Sequence, residues 1–162
     1  MKVSAMGMTM IINYEGMRNS TYDDRTGKPI FTWNKFATIG IGHLIQEDEW
    51  DEYKNGISDK ECMLLFCDDL TRYERIINKL EAEIGIPGGF FQHQFDMLVS
   101  LCYNIGITNF EKSSVKKILL GQKANYNTLE EAWLAFNKQK GRFIQGIMNR
   151  RKKEYEIFTH GY

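Results

Sequence analysis

Residues 14–45 read YEGMRNSTYDDRTGKPIFTWNKFATIGIGHLI, and the fold and the chemistry both hang on this stretch. Glu15 stands at the end of an apolar run, Asp24 lies in a polar turn, and Thr38 opens the run Thr-Ile-Gly-Ile-Gly-His that ends at His43. Met6 to Tyr14 (MGMTMIINY) carries no charge, so a carboxyl at its edge is partly desolvated. Desolvation raises a carboxyl pKa, as a general acid requires. Asp24 sits instead among Asp23, Arg25, Thr26 and Gly27, where water and nearby donors keep it ionised. Two carboxyls pushed apart in this way divide acid from base, as glycoside hydrolysis demands. Taken singly, each residue has an ordinary alternative: a Glu before a Gly is a solvated helix end, and Asp-Asp-Arg-Thr-Gly is a turn.

The combination is more specific. Glu15-Gly16, Asp24, Gly27 and Thr38-Ile-Gly-Ile-Gly-His43-Leu44 together resemble the catalytic signature of phage-type lysozymes, the endolysin family of muramidases. The resemblance continues through Gln94-Phe95-Asp96, Leu98-Val99-Ser100, Tyr103-Asn104-Ile105-Gly106, Phe110, Ser113-Ser114, Gly146, Arg150-Arg151 and Glu154 to Ile157-Phe158. It covers nearly the whole chain. It implies an α+β, mostly helical fold, with a small antiparallel sheet lobe and a larger helical lobe joined by a long helix. The matching boundaries are about 15–57 for the sheet lobe, 58–84 for the bridging helix, and 85–162 for the helical lobe, packed with the first helix. The chain departs from the family in one place. Thirteen residues separate Asp24 from Thr38 where the family has five, the extra eight falling around Lys28 to Lys35. If they lengthen a hairpin, an even number preserves the face on which Thr38 lies; a bulge or loop removes that guarantee.

At 162 residues the chain can bury a core without staples. Lys+Arg and Asp+Glu balance at 21 each, so no global charge favours nucleic acid. Residues 1–80 nonetheless hold 10 basic and 13 acidic side chains, and residues 81–162 hold 11 and 8. Seven Lys or Arg between Lys138 and Lys153, with no acid among them, form either a patch for an anionic wall polymer or a solvated helix face. Cys62, Cys67 and Cys102 lack metal or disulfide spacing and read as reduced, buried thiols. The apolar N-terminal run is too short to span a bilayer and lacks a cleavage site, so no signal peptide and no stable membrane insertion are expected. An enzyme of this kind, made in the bacterial cytoplasm, reaches the wall only after release. A membrane-permeabilising partner is the release route the resemblance implies.

Along the chain, Val3 to Tyr14 predicts a short helix stopped by Gly16. Gln46 to Gly56 is acidic and reads as a solvated short helix or loop. Ser58-Asp-Lys-Glu61 is a capping box that opens the clearest helix, ending at Gly85 and, at roughly 40 Å, too long for one small lobe. From Phe90 the pattern reads as helix throughout: Phe91 to Asn104, Ser113 or Ser114 to Leu120, Thr128 to Phe136, and about Ile144 to Phe158. His43 reads as a structural group bonded to Asp68 or Asp69, and no metal-ligand spacing appears among His43, His93 and His160.

The resemblance assigns Glu15 as general acid, Asp24 as the carboxylate that stabilises positive charge and helps activate water, and Thr38 as the hydroxyl that holds the water. Leu44, Tyr103, Asn104 and Ser113 are the implied substrate contacts. His43 and Arg150, or its neighbour Arg151, are supporting groups, the arginine tying Glu15 into position. The implied activity is hydrolysis of the β-1,4 bond between N-acetylmuramic acid and N-acetylglucosamine in peptidoglycan, by a monomer that needs no cofactor and no metal. Rival readings are a lytic transglycosylase, a silent wall-binding module with Phe31, Trp33 and Phe36 as a carbohydrate platform, and a secreted antibacterial toxin.

Overall fold

The computed structural model describes residues 1–85 and 87–162. The chain is α+β and mostly helical, and it divides into two compact units, Ile11–Thr71 and Met1–Met10 with Arg72–Tyr162. Two helices, α1 (Ala5–Glu15) and α3 (Asp59–Ile84), each contribute residues to both.

The first unit holds a three-stranded antiparallel sheet, β1 (Arg18–Asp23), β2 (Ala37–Gly40) and β3 (His43–Leu44), in that order. Its core is Ala37, Ile39 and Ile45, packed by Ile30, Trp33, Trp50, Tyr53, Ile57 and Leu65. Trp50 and Tyr53 belong to α2 (Trp50–Tyr53), which follows a 3-10 turn at Glu47–Glu49. The acidic segment 46–56 is therefore no purely solvated linker: Glu47, Asp48, Asp51 and Glu52 are exposed, while Glu49 is half-buried and two aromatic rings pack on the sheet core. At the start of α3 the box expected at Ser58 forms, the Glu61 carboxylate accepting from the Ser58 N–H at 2.7 Å. With 26 residues α3 runs about 39 Å.

The eight extra residues do not lengthen a hairpin. Asp23 N–H donates to the Lys28 carbonyl at 2.9 Å and Ile30 N–H to the Thr21 carbonyl at 3.2 Å, laying Pro29 beside Tyr22 on the edge of β1 away from β2. The chain then turns under the sheet, where the Trp33 indole N–H reaches the Ile45 carbonyl at 3.0 Å. Ile30 and Trp33 bury apolar area against Ala37, Ile39 and Ile45, which makes the loop part of the core. Trp33 is accordingly no open carbohydrate platform, and Phe36 is covered by Arg25 and Lys35 at 4.5 and 5.2 Å from its centroid. Only Phe31 of the three stands free, 90% exposed.

In the second unit α4 (Gln92–Ile105) is buried continuously from Phe95 to Tyr103 and packs on α8 (Gln145–His160). Asp96 on α4 fixes the N-terminus, accepting from the Ser4 N–H at 3.0 Å and from the Ser4 hydroxyl, while the Ser4 oxygen caps α1 through the Gly7 N–H at 3.1 Å. Three short helices follow α4: α5 (Ile107–Glu111), α6 (Ser114–Leu119) and α7 (Leu129–Leu134). The first of them has no counterpart in the sequence reading, which carried the helix to Asn104 and resumed at Ser113.

The expectation of helix throughout fails between α7 and α8, where β4 (Lys138–Gln139) and β5 (Arg142–Phe143) form a hairpin. Lys140 and Gly141 both take positive φ, 51° and 77°, as the two central residues of a hairpin turn matching the strand twist. The basic stretch is thereby divided. Lys138, Lys140 and Arg142 are exposed on the hairpin, whereas Arg150 and Arg151 are buried in α8. Of the cysteines, Cys62 and Cys102 are buried as expected, the Cys102 thiol pushed up to about 12 by burial; Cys67 is exposed, contrary to the sequence reading.

Candidate active site

Glu15 is the last residue of α1, half-buried, and Gly16 follows with φ of 75°, its N–H closing on the Ile12 carbonyl at 2.8 Å. Gly16 takes this left-handed stop without the penalty a side chain would bring, so the helix ends with the carboxyl at its tip.

Asp24 lies in the turn after β1. The turn is built by its neighbour Asp23, whose buried Oδ1 accepts from the N–H groups of Arg25 and Thr26 at 3.0 Å each. Burial alone would raise the Asp23 carboxyl; the Thr26 and Arg25 amides and the Arg25 charge overcome it and leave the pKa below its ordinary value. Asp24 is thus left exposed at the top of a rigid turn. The sequence reading grouped Asp23 with the polar surroundings and missed that it is the structural carboxylate. The signal was an Asx turn, Asp followed two and three residues later by free amides.

Thr38 lies on β2, beyond the loop at residues 28–35. In the β1–β2 ladder it stands opposite Tyr22, and opposite Leu44 on β3. Its hydroxyl is buried and donates to the Phe36 carbonyl at 3.0 Å. The same carbonyl accepts the Asp24 N–H at 3.0 Å. One backbone oxygen therefore links the two residues across thirteen intervening positions. Because the Thr38 proton is engaged there, its oxygen is left as an acceptor.

Behind this face His43 is buried, its Nδ1 2.9 Å from Asp69 Oδ2 and its Nε2 3.5 Å from Glu49 Oε2, with Tyr53 edge-on at 5.5 Å. Of the two carboxylates named from sequence, Asp69 is the partner. Burial would lower the imidazole pKa; the hydrogen bond and charge of Asp69, with those of Glu49, reverse this and raise it.

The remaining sequence candidates are placed as follows. Leu44 is exposed beside Thr38. In the other unit, Tyr103 is buried against Tyr73, ring centroids 4.7 Å apart, while Asn104 is exposed and lines a cavity of about 360 Å³ with Lys138 and Lys140. Ser113 is buried as the cap of α6, accepting the Lys116 N–H at 3.0 Å. Arg150 donates from Nε to Glu154 at 2.9 Å and from Nη2 to the Ser100 carbonyl at 3.3 Å. Glu154 had no role assigned from sequence, yet it is fully buried and also accepts from Arg151, the Ser100 hydroxyl and the Trp133 indole. Its spacing of three and four residues from the two arginines on one helix was the available signal. Among the described residues no His, Cys, Asp and Glu side chains cluster in threes for a metal.

A carboxyl at a helix tip, a second on a rigid turn and a hydroxyl acceptor tied to it within one unit suit acid-assisted hydrolysis. The family model described as phage lysozyme matches residues 12–154. The chain belongs to the phage lysozyme family. It is 31% identical over 160 residues to the endolysin of Salmonella phage P22, covering 98% of both chains. To the endolysin of Bacillus phage B103 it is 29% identical over 161 residues, 99% of this chain and 55% of that one, so it spans about half the length of that relative. The solved muramidase domain of SpmX from Asticaccaulis excentricus superposes with a TM-score of 0.71 at 25% identity, covering 97% of each chain. No described helix of this family member is long and apolar enough to cross a membrane.

Proposed function

We propose that this member of the phage lysozyme family is a peptidoglycan hydrolase, a muramidase that cleaves the β-1,4 bond between N-acetylmuramic acid and N-acetylglucosamine. Glu15 protonates the glycosidic oxygen as the bond breaks. Asp24 stabilises the positive charge developing on the sugar and helps draw a proton from the attacking water. That water donates its other hydrogen to the Thr38 oxygen, the lone pair left open by the bond to Phe36. The observation that carries this reading is the shared Phe36 carbonyl, which couples Asp24 to Thr38 across the insertion. Leu44 and Asn104, both exposed, belong to the proposal as substrate contacts, and Arg150 and His43 as groups that hold the framework. Neither a metal nor an organic cofactor enters any step. The biological role we infer is lysis of a bacterial host, by a monomer released to the wall with a membrane-permeabilising partner.

The test is Glu15→Gln on purified peptidoglycan. Turnover falls by at least about a thousandfold while the variant still sediments with the wall, since only the transferable proton is lost. A variant that retains full turnover contradicts the assignment.

A further inference from the structure

The sheet face that carries Thr38, next to the Asp24 turn, carries one more functional group. Tyr22 stands directly opposite Thr38, and the bond from Asp24 N–H to the Phe36 carbonyl continues the same ladder by two residues. Directly paired residues, and residues two apart on a strand, leave the same face of a sheet. Tyr22 and Thr38 therefore project together, beside the turn that carries Asp24. The ring is held in place: the Arg18 guanidinium carbon lies 4.3 Å from its centroid, and Arg18 Nη1 donates to the Gly27 carbonyl at 2.9 Å. Arg18 thus joins the tyrosine to the turn that presents Asp24. A groove of about 400 Å³ along β1, lined by Met17, Arg18, Tyr22 and Pro29 among others, leaves Tyr22 reachable from solvent.

The charged groups acting on the phenol are Asp24 from the turn, Arg18 from its own strand and Glu15 from α1. Burial and then the Asp24 charge push its pKa above the ordinary value, Arg18 opposes them, and Glu15 adds to the rise. The phenol therefore gives up its proton less readily than an ordinary tyrosine.

We propose that Tyr22 is a positioning residue of this site: its phenol O–H is the neutral donor that holds the Asp24 carboxylate toward the water on Thr38, with Arg18 fixing the ring. The role rests on the hydrolytic reading above. Its test is Tyr22→Phe in the full chain, which keeps the ring and the Arg18 contact and removes only the hydroxyl. On purified peptidoglycan kcat falls about tenfold or more with KM nearly unchanged, the scale of one hydrogen bond to a charged group. Arg18→Met gives a smaller loss of the same kind. A Tyr22→Phe enzyme with the native kcat overturns the positioning role alone, as does a loss that appears only in KM or tracks a lowered thermal midpoint. A native chain that releases no fragments overturns the hydrolytic reading, and the positioning role with it.

Discussion

Asp24 and Thr38 meet at one backbone oxygen, and that shared partner limits what each can do. With its proton on the Phe36 carbonyl, Thr38 acts as an acceptor; with its own amide on the same carbonyl, Asp24 is fixed at the backbone while its carboxylate remains exposed. His43 offers a test at the same scale. Its folded pKa is raised, so its ion pairing stabilises the fold fully below the unfolded value, about pH 6.5, and is lost as pH rises through the folded pKa. Denaturation of native and Asp69→Asn chains across pH should show the largest gap on the acidic side of that window, about 1.5–3 kcal/mol, shrinking as pH rises. A gap that is constant, or that widens with pH, refutes the pairing.

Among the elements, the loop at residues 28–35 is the one whose purpose is written in its packing. Ile30 and Trp33 fill the underside of the sheet, and the Trp33 indole holds the Ile45 carbonyl. Truncation leaves a cavity under β2 together with an unpaired carbonyl. Trp33→Ala should destabilise the chain by about 3–5 kcal/mol in chemical denaturation, while Phe31→Ala, at a side chain 90% exposed, stays within about 0.5 kcal/mol. Equal effects from both would mean that the loop is not part of the core.

For the whole molecule, what the sequence made legible followed from local chemistry. The Glu15-Gly16 helix stop and the Ser58 box each need only neighbouring residues to specify them. What it hid depended on contacts far along the chain. The route of the insertion is decided by Ile30 and Trp33 finding the sheet, which no spacing encodes. The hairpin at Lys138–Phe143 has strands of two residues, too short for any alternation, and its only local mark is Lys140-Gly141. The basic stretch reads as one patch in sequence because burial of Arg150 and Arg151 around Glu154 is a tertiary event. Asp24 and Thr38 were legible as candidates, but their link through Phe36 was not.

The central claim is hydrolysis by Glu15 with water held at Thr38, and the product ends report it directly. Mass spectrometry of fragments released from purified peptidoglycan by the native chain and by Glu15→Gln should show reducing muramic acid ends that disappear in the variant. Anhydro-muramic ends from the native chain would contradict the account, since they mark cleavage without water.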